Sequence, residues 1–444
     1  MKTFQQGIHP EYKKQVTENK GTVELPFPKK VIIPLHQHTG AICEPLVKVG
    51  DEVVEGQKIG ESSKFISAAV HASIGGKVAK IEKFAHPGGT NVLSVVIERG
   101  ECHSRVSGNP DLDARLRGHD AEQIRAIVKE AGIVGLGGAA FPSHVKLSPP
   151  EGKTIDTILI NGCECEPYIT ADHRIMMERT NDVVYGAKAM AKAVGAKRIF
   201  VGVEHNKADA IAKLRSVIRT QHLEFVQEFE VVRLETKYPQ GGEKMLIKAL
   251  LNREVPSGGL PADVGAVVFN VGTAVAITEA IKSGTPLIKR VITVAGSGVK
   301  EPKNLLVRIG TTFQDIIDQC GGLTEDAQKV IMGGPMMGVS QFTLEVPVVK
   351  ATSCILVLTK DPAAKRRGVQ VEEQEFPCCK CARCVDNCPM FLTPAKLVAF
   401  AENGKQSEFE EWGGQDCIEC GSCAYVCPAK IPLVQWIKLG KNRG

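Results

Sequence analysis

Two cysteine runs of identical spacing set the strongest limit on this chain. Cys378, Cys381, Cys384 and Cys388 stand as C-x2-C-x2-C-x3-C before Pro389, and Cys417, Cys420, Cys423 and Cys427 repeat the pattern before Pro428. Each two-residue step turns successive thiolates around one face of a tight turn, where they can grip three corners of a cubane. A single zinc ion needs four ligands and has no use for the third evenly spaced cysteine or the closing Cys-Pro. The spacing therefore predicts two [4Fe–4S] clusters, with Cys379 as the spare thiol. These eight belong to fifteen cysteines in all. A disulfide framework would need an oxidising compartment, and Met1 to Pro10 lacks an apolar export segment. The expectation is metal in a reducing cytoplasm.

The fourth cysteine of each run ligates the other cluster in two-cluster ferredoxins. On that pattern Cys378, Cys381, Cys384 and Cys427 hold one cluster, and Cys417, Cys420, Cys423 and Cys388 the other. Between the runs Thr393 suits an N-cap and Pro394 the first helical position. A helix should therefore separate them, as in a helical ferredoxin domain. Two neighbouring clusters make a wire for single electrons, and a wire needs a donor elsewhere in the chain. The apolar, basic-ended tail from Ile431 to Gly444 is expected to pack on this module.

The 444 residues suffice for several domains, and a net charge of +5 does not single out nucleic acid as a partner. No run of apolar residues is long enough to span a membrane. Residues 1–100 read as short strands between turns. Within them Pro45 to Gln57 and Ala72 to Val78 resemble the barrel-sandwich fold of lipoyl and biotinyl carriers, with Lys64 at the position of a modified hairpin lysine. A structural cap or docking module is the plainer reading of this barrel.

Residues 101–119 read as a polar linker or insertion. From 120 to 285 helices and strands alternate: helices over Asp120–Ala131, Asn181–Val194 and Lys207–Arg219, and strands over Thr154–Ile160, Arg198–Val203 and Glu228–Leu234. This is an α/β layered domain, whose ligands bind at the carboxyl ends of the strands. Residues 286–350 return to β character, with a strand at Arg290–Ala295 and a helix at Thr312–Cys320. Residues 351–373 form a linker, and 374–444 the cluster module.

Two loops of the α/β domain carry binding chemistry. In the first, Gly135, Gly137 and Gly138 precede Lys146, so backbone N–H groups and one cation can approach a phosphate. A simple tight turn is the bland alternative. In the second, the strand ending at Ile160 runs into Asn161, Glu164 and Glu166, two carboxylates that can accept from ribose hydroxyls or an amide. A solvated acidic turn is its alternative.

This pairing resembles the flavin- and NADH-binding subunit of respiratory complex I, which has a glycine-rich loop ending in Phe-Pro-x-x-x-Lys and then Asn-x-x-Glu-x-Glu-Pro. Tyr238 to Glu243 looks like that family's Tyr-x-x-Gly-Glu-Glu, and Val267 to Thr273 like its Val-Val-Asn-Asn-Val-Glu-Thr. Residues 290–320 resemble the same family's soluble-ligand-binding β-grasp (SLBB) module. With the barrel and twin clusters added, the whole chain resembles the RnfC (RsxC) family of Rnf ion-translocating electron transport complexes.

The resemblance implies a multidomain α/β architecture: barrel-sandwich, Rossmann-like flavin/NADH domain, SLBB module and helical two-cluster ferredoxin domain. It implies FMN and NAD(H) as further cofactors. Gly135, Gly137, Gly138 and Lys146 would cradle the FMN phosphate, and Asn161 would touch the flavin. Glu164 and Glu166 would lie near the flavin or nicotinamide ribose, with Tyr238 and Glu243 lining the pocket. The complex I arginine is replaced here by Leu136. The activity implied is NADH oxidation through FMN, with electrons passed to partner subunits or ferredoxin and coupled to Na+ or H+ movement. The site implied is peripheral, on the cytoplasmic face of a bacterial membrane. The alternatives are a cobalamin reductase-type protein and a non-enzymatic relay scaffold.

Overall fold

Strands rich in Val and Ile, buried on both faces, form the centre of the chain. The computed structural model describes residues 1–100, 119–220, 225–360 and 375–443. The expected linker at 101–119 lies, apart from His119, outside them, as does the basic stretch after Lys360. A parallel four-stranded sheet has the spatial order Glu228–Leu234, Arg198–Glu204, Thr157–Asn161 and Ala266–Asn270. Alternate side chains leave opposite faces of a strand. Ile158 and Ile160 accordingly join the core under helices Thr180–Val194 and Val271–Ser283. Leu159 joins the second core with helix Glu243–Leu251. Double coverage of this kind explains the near-continuous apolar runs.

Strand Thr157–Asn161 lies between Arg198–Glu204 on one side and Ala266–Asn270 on the other. The order of the chain reverses there, so the crevice beyond its carboxyl end is the topological place for a ligand.

Helix boundaries follow local chemistry. Asp120 caps helix Ala121–Glu130 through a capping box with Gln123. Thr312 caps Phe313–Gln319 through the N–H of Asp315. Helices Ala171–Glu178, Glu243–Leu251 and Val271–Ser283 were not expected: the first begins just after the acidic loop, and the other two begin within the segments that resemble complex I motifs.

The N-terminal barrel pairs Lys30–Pro34, Asn91–Arg99, Gly76–Ala85 and Glu52–Val53 in one sheet and Glu44–Pro45, Lys58–Glu61 and Val70–His71 in another. Val31, Ile33, Ile59, Ile74, Val95 and Ile97 fill its interior. The β-rich module after 286 is a six-stranded mixed sheet. One of its edges, Thr22–Glu24, comes from the N-terminal segment, and Cys354–Thr359 lies inside the stretch read as linker. That strand is a buried apolar run, Cys-Ile-Leu-Val-Leu, which pairs with both Lys289–Ala295 and Ala327–Met332.

In the cysteine module, helix Pro394–Glu402 stands between the runs and packs on the C-terminal helix Leu433–Lys441 around Leu397, Phe409, Leu433 and Ile437. Thr393 makes no side-chain cap bond, contrary to expectation, and Pro394 alone marks the helix start. The tail folds back rather than away: Lys441 Nζ donates to Cys417 O and Glu419 Oε1. Among the described residues no helix is long and apolar enough to cross a membrane.

Candidate functional site

The glycine loop lies against the carboxyl end of strand Ala266–Asn270. A Cβ on Gly137 would stand 3.3 Å from Asn270 Cβ, while Gly138, at φ +146°, has open space where its side chain would be. Few residues other than glycine tolerate that backbone. Leu136 anchors the loop from below, its N–H donating to Thr273 Oγ1 (3.0 Å) and its carbonyl accepting from Arg290 Nη2 (3.3 Å). Among the described residues, no hydrogen bond uses the N–H groups of Gly137, Gly138 or Ala139, although Gly135 N–H is closed onto Phe141 O. Spare N–H donors on an open glycine turn fit an anion such as the FMN phosphate. Lys146 donates to Val268 O (3.0 Å) and Glu243 Oε1 (2.6 Å), so this cation and carboxylate share the strand end with the loop.

Asn161, at the switch point, donates to Gly241 O (2.7 Å) and accepts from Cys163 N–H (3.2 Å). The two acidic residues after it diverge. Glu164, in the left-handed region at φ +51°, turns its carboxylate onto the start of helix Ala171–Glu178, where Asp172 N–H (2.6 Å) and His173 N–H (3.3 Å) donate to it. The N-terminal segment reaches the same spot: buried Lys14 donates to Glu164 O and Ile169 O, both at 2.6 Å, with its Nζ 3.9 Å from the carboxylate. Burial pushes the Glu164 carboxyl up and the Lys14 ammonium down, each partly offset by the other's charge.

Glu166 instead accepts from Met336 N–H (3.2 Å) and Met337 N–H (2.9 Å), tying the acidic loop to the β-rich module. Its pKa is raised to about 7 by burial, against the pull of those two donors. A carboxyl raised on folding holds more protons folded than unfolded between its ordinary value and about 7. Its stabilising contribution is therefore complete at low pH and is lost as pH climbs through that window. Glu166→Gln keeps an acceptor for Met337 without the charge. It should leave the melting temperature nearly unchanged at pH 5 and raise stability at pH 8 by on the order of 1–3 kcal/mol. An equal or lower melting temperature at pH 8 would refute this account.

Tyr238 is 1% exposed, and its hydroxyl donates to Cys420 O at 2.6 Å. It packs with Ile8, Cys165 and Cys420. A second contact joins the same partners: Ser257 Oγ donates to Asp416 Oδ2 at 2.6 Å. A third uses Gly421, at φ +80°, where a Cβ would come within 2.8 Å of Met336 O. The second cysteine run is thus seated directly on the Tyr238 and Ser257 loops of the α/β domain and on the β-rich module.

Cys388, Cys417, Cys420 and Cys423 line one apolar pocket, together with Leu397, Val434 and Ile437. Cys388 reaches it from the first run. Among the described residues no three Cys, His, Asp or Glu side chains converge on a point that would hold a single metal ion. The four thiols stand around a space instead, which suits a cluster. The other set is more open, with Cys378 and Cys381 exposed and Cys384 and Cys427 half-buried.

The structure therefore brings Lys146, Glu243, the glycine loop and the Asn270 strand end together, and Asn161 to Gly241. It directs Glu164, Glu166 and Tyr238 to partners of their own. Lys14, Asp172, Asn270 and Arg290 support the site and escaped the sequence reading. Asn270 alone carried a signal, since it lies in the segment that looks like complex I.

Comparison with known proteins agrees with this anatomy. Residues 2–101 match the RnfC barrel sandwich hybrid domain, 128–279 the Nuo51 FMN-binding domain, 291–340 the SLBB domain and 377–431 the 4Fe-4S dicluster domain. The chain is 46% identical to the C component of the proton-translocating ferredoxin:NAD(+) oxidoreductase complex of Clostridium ljungdahlii, over 100% of this chain and 94% of that one. It is also 46% identical to the Na(+)-translocating counterpart of Acetobacterium woodii, over 99% and 96%. Against the C component of the ion-translocating oxidoreductase complex of Rhodobacter capsulatus it is 41% identical, over 98% and 82%. Among solved structures, the NAD+-reducing [NiFe]-hydrogenase in its H2-reduced state shares the fold, with a TM-score of 0.52 at 18% identity over 76% of this chain and 65% of that one.

An FMN-binding α/β domain joined to a 4Fe–4S dicluster domain defines an iron–sulfur flavoprotein of electron transport. The chain belongs to the RnfC family, a component of the Rnf ion-translocating ferredoxin:NAD+ oxidoreductase complexes.

Proposed function

We propose that this protein exchanges electrons between NAD(H) and one-electron carriers, at the cytoplasmic face of a membrane complex whose integral subunits move Na+ or H+. The names of its relatives write ferredoxin as donor and NAD+ as acceptor, and the same machinery serves the opposite direction. The carrying observation is the Tyr238 Oη to Cys420 O hydrogen bond, which fastens the second cysteine set to the flavin-side loops.

Gly137, Gly138 and Lys146 would hold the FMN phosphate, with Asn161 and Glu243 near the flavin. Bound FMN supplies the conversion between two-electron hydride chemistry and one-electron transfer. The protein's own work is positional. Glu164, held by the helix start and Lys14, fixes the Asn161–Tyr168 turn, and Glu166 anchors that turn to Met336 and Met337. Cys388, Cys417, Cys420 and Cys423 stand on the flavin side, whereas exposed Cys378 and Cys381 stand where a partner subunit or ferredoxin can approach.

Anaerobic titration of the purified, reconstituted protein with NADH tests the reading. The expected result is bleaching of flavin absorbance followed by EPR signals from two reduced clusters. Protein that retains no FMN, with clusters left oxidised under excess NADH, would overturn it.

A further inference from the structure

The proposed function leaves unused one exposed aromatic ring beside the glycine loop. It belongs to the barrel domain's hairpin. Thr39 Oγ1 donates to Ala139 O (2.8 Å) and Thr39 N–H to Ala140 O (3.3 Å), so the barrel touches the loop just before Phe141. Ala41 N–H donates to Ile66 O (2.9 Å), which joins that contact to the hairpin. Just after Phe141, His144 Nε2 donates to Phe65 O (3.0 Å), and the two rings meet edge to face with centroids 5.6 Å apart. Burial pushes the His144 pKa down, so the neutral ring with its proton on Nε2 is the form that makes this bond.

The hairpin backbone is thus pinned to both flanks of the loop, yet the Phe65 residue remains 56% exposed. Other exposed aromatic residues among those described lie elsewhere. Phe342 is on the β-rich module, and Phe376, Phe391, Trp412 and Tyr425 are on the cluster module, while Phe27 is covered by the Arg308 guanidinium at 3.7 Å. A dinucleotide presents a diphosphate and a flat purine. The loop's spare N–H donors are taken by the FMN phosphate in the reading above, and an anchored ring beside it offers a face for the purine of a dinucleotide that must reach the same flavin. Stacking of this kind needs no hydrogen-bond partner and costs little ordering when the platform is already fixed.

We propose that Phe65 is the stacking platform for the adenine of the nicotinamide dinucleotide, contributed to the flavin domain's site by the barrel. The proposal rests on the NAD(H) reading above. It also gives the Lys64 hairpin a role as a fixed wall of the site, in place of a swinging arm.

Binding of ADP-ribose to the full-length protein, followed by calorimetry, tests this without turnover. Phe65→Ala should bind ADP-ribose roughly tenfold more weakly than wild type, and Phe65→Trp should restore it. In parallel, kcat/KM for NADH should fall by a similar factor relative to that for reduced nicotinamide mononucleotide, which has no adenine. Unchanged ADP-ribose affinity, or equal losses for the two nicotinamides, overturns the role of Phe65 while leaving NADH oxidation standing. Wild-type protein that neither binds ADP-ribose nor is reduced by NADH would sink both readings together.

Discussion

Cys388→Ser is expected to abolish the cluster seated against the flavin domain, although Cys388 belongs to the other cysteine run. The cavity that this thiol lines is completed by Cys417, Cys420 and Cys423. Iron should fall from about eight to about four atoms per chain, with one of two EPR signals lost. The double variants make the result sharper. Cys388→Ser with Cys420→Ser should still retain one cluster, because both changes strike the same site. Cys388→Ser with Cys381→Ser should lose both. If the first pair lost both clusters and the second retained one, the crossed assignment would be wrong. The single variant should also loosen the module, since Leu397, Leu433 and Ile437 pack around the thiols.

Lys207→Met should destabilise the flavin domain by about 3–5 kcal/mol. The Lys207 and Glu204 side chains are 2% and 0% exposed, and their charged atoms lie 3.0 Å apart. Lys207 Nζ also donates to Cys163 O at 2.6 Å, and Glu204 Oε1 accepts from Lys237 N–H at 3.3 Å. The pair therefore joins the turn after Asn161 to the segment leading into Tyr238. Removing the ammonium strands a buried carboxylate, a larger loss than that of the pair as a whole. The melting temperature should drop by on the order of 10 °C, and FMN should be retained less well. Adding Glu204→Gln to Lys207→Met should recover much of the loss. A single variant that melts with wild type would show that the pair is not what holds these loops.

How far the sequence reached depended on how local each signal was. The cysteine spacing, the capping residue Asp120 and the glycine loop are read from neighbours along the chain, and the structure has an element at each. Strand Cys354–Thr359 was lost to a linker because nothing local says that two distant strands flank it. The acidic turn shows the limit most clearly. Glu164 and Glu166 are two residues apart and chemically alike. One carboxylate meets a helix start and Lys14, the other the Met336–Met337 backbone, and no pattern in Asn161 to Tyr168 tells them apart. Lys14, in a polar stretch, and Arg290, at the start of an apolar strand, were invisible for the same reason, since nothing in either neighbourhood shows that the cation itself is buried.

The sequence by itself determined the cluster chemistry, because ligand type and spacing select an iron–sulfur cluster, and it showed a glycine turn followed by a lysine where a phosphate could bind. Those choices depend on atoms within a few residues of each other. Only the tertiary structure decided which cysteine set faces the flavin domain, which carboxylate anchors which module, and that the barrel reaches the glycine loop. These depend on contacts between segments hundreds of residues apart, such as Tyr238 with Cys420 and Lys14 with Glu164, and packing of the whole chain is what brings them together.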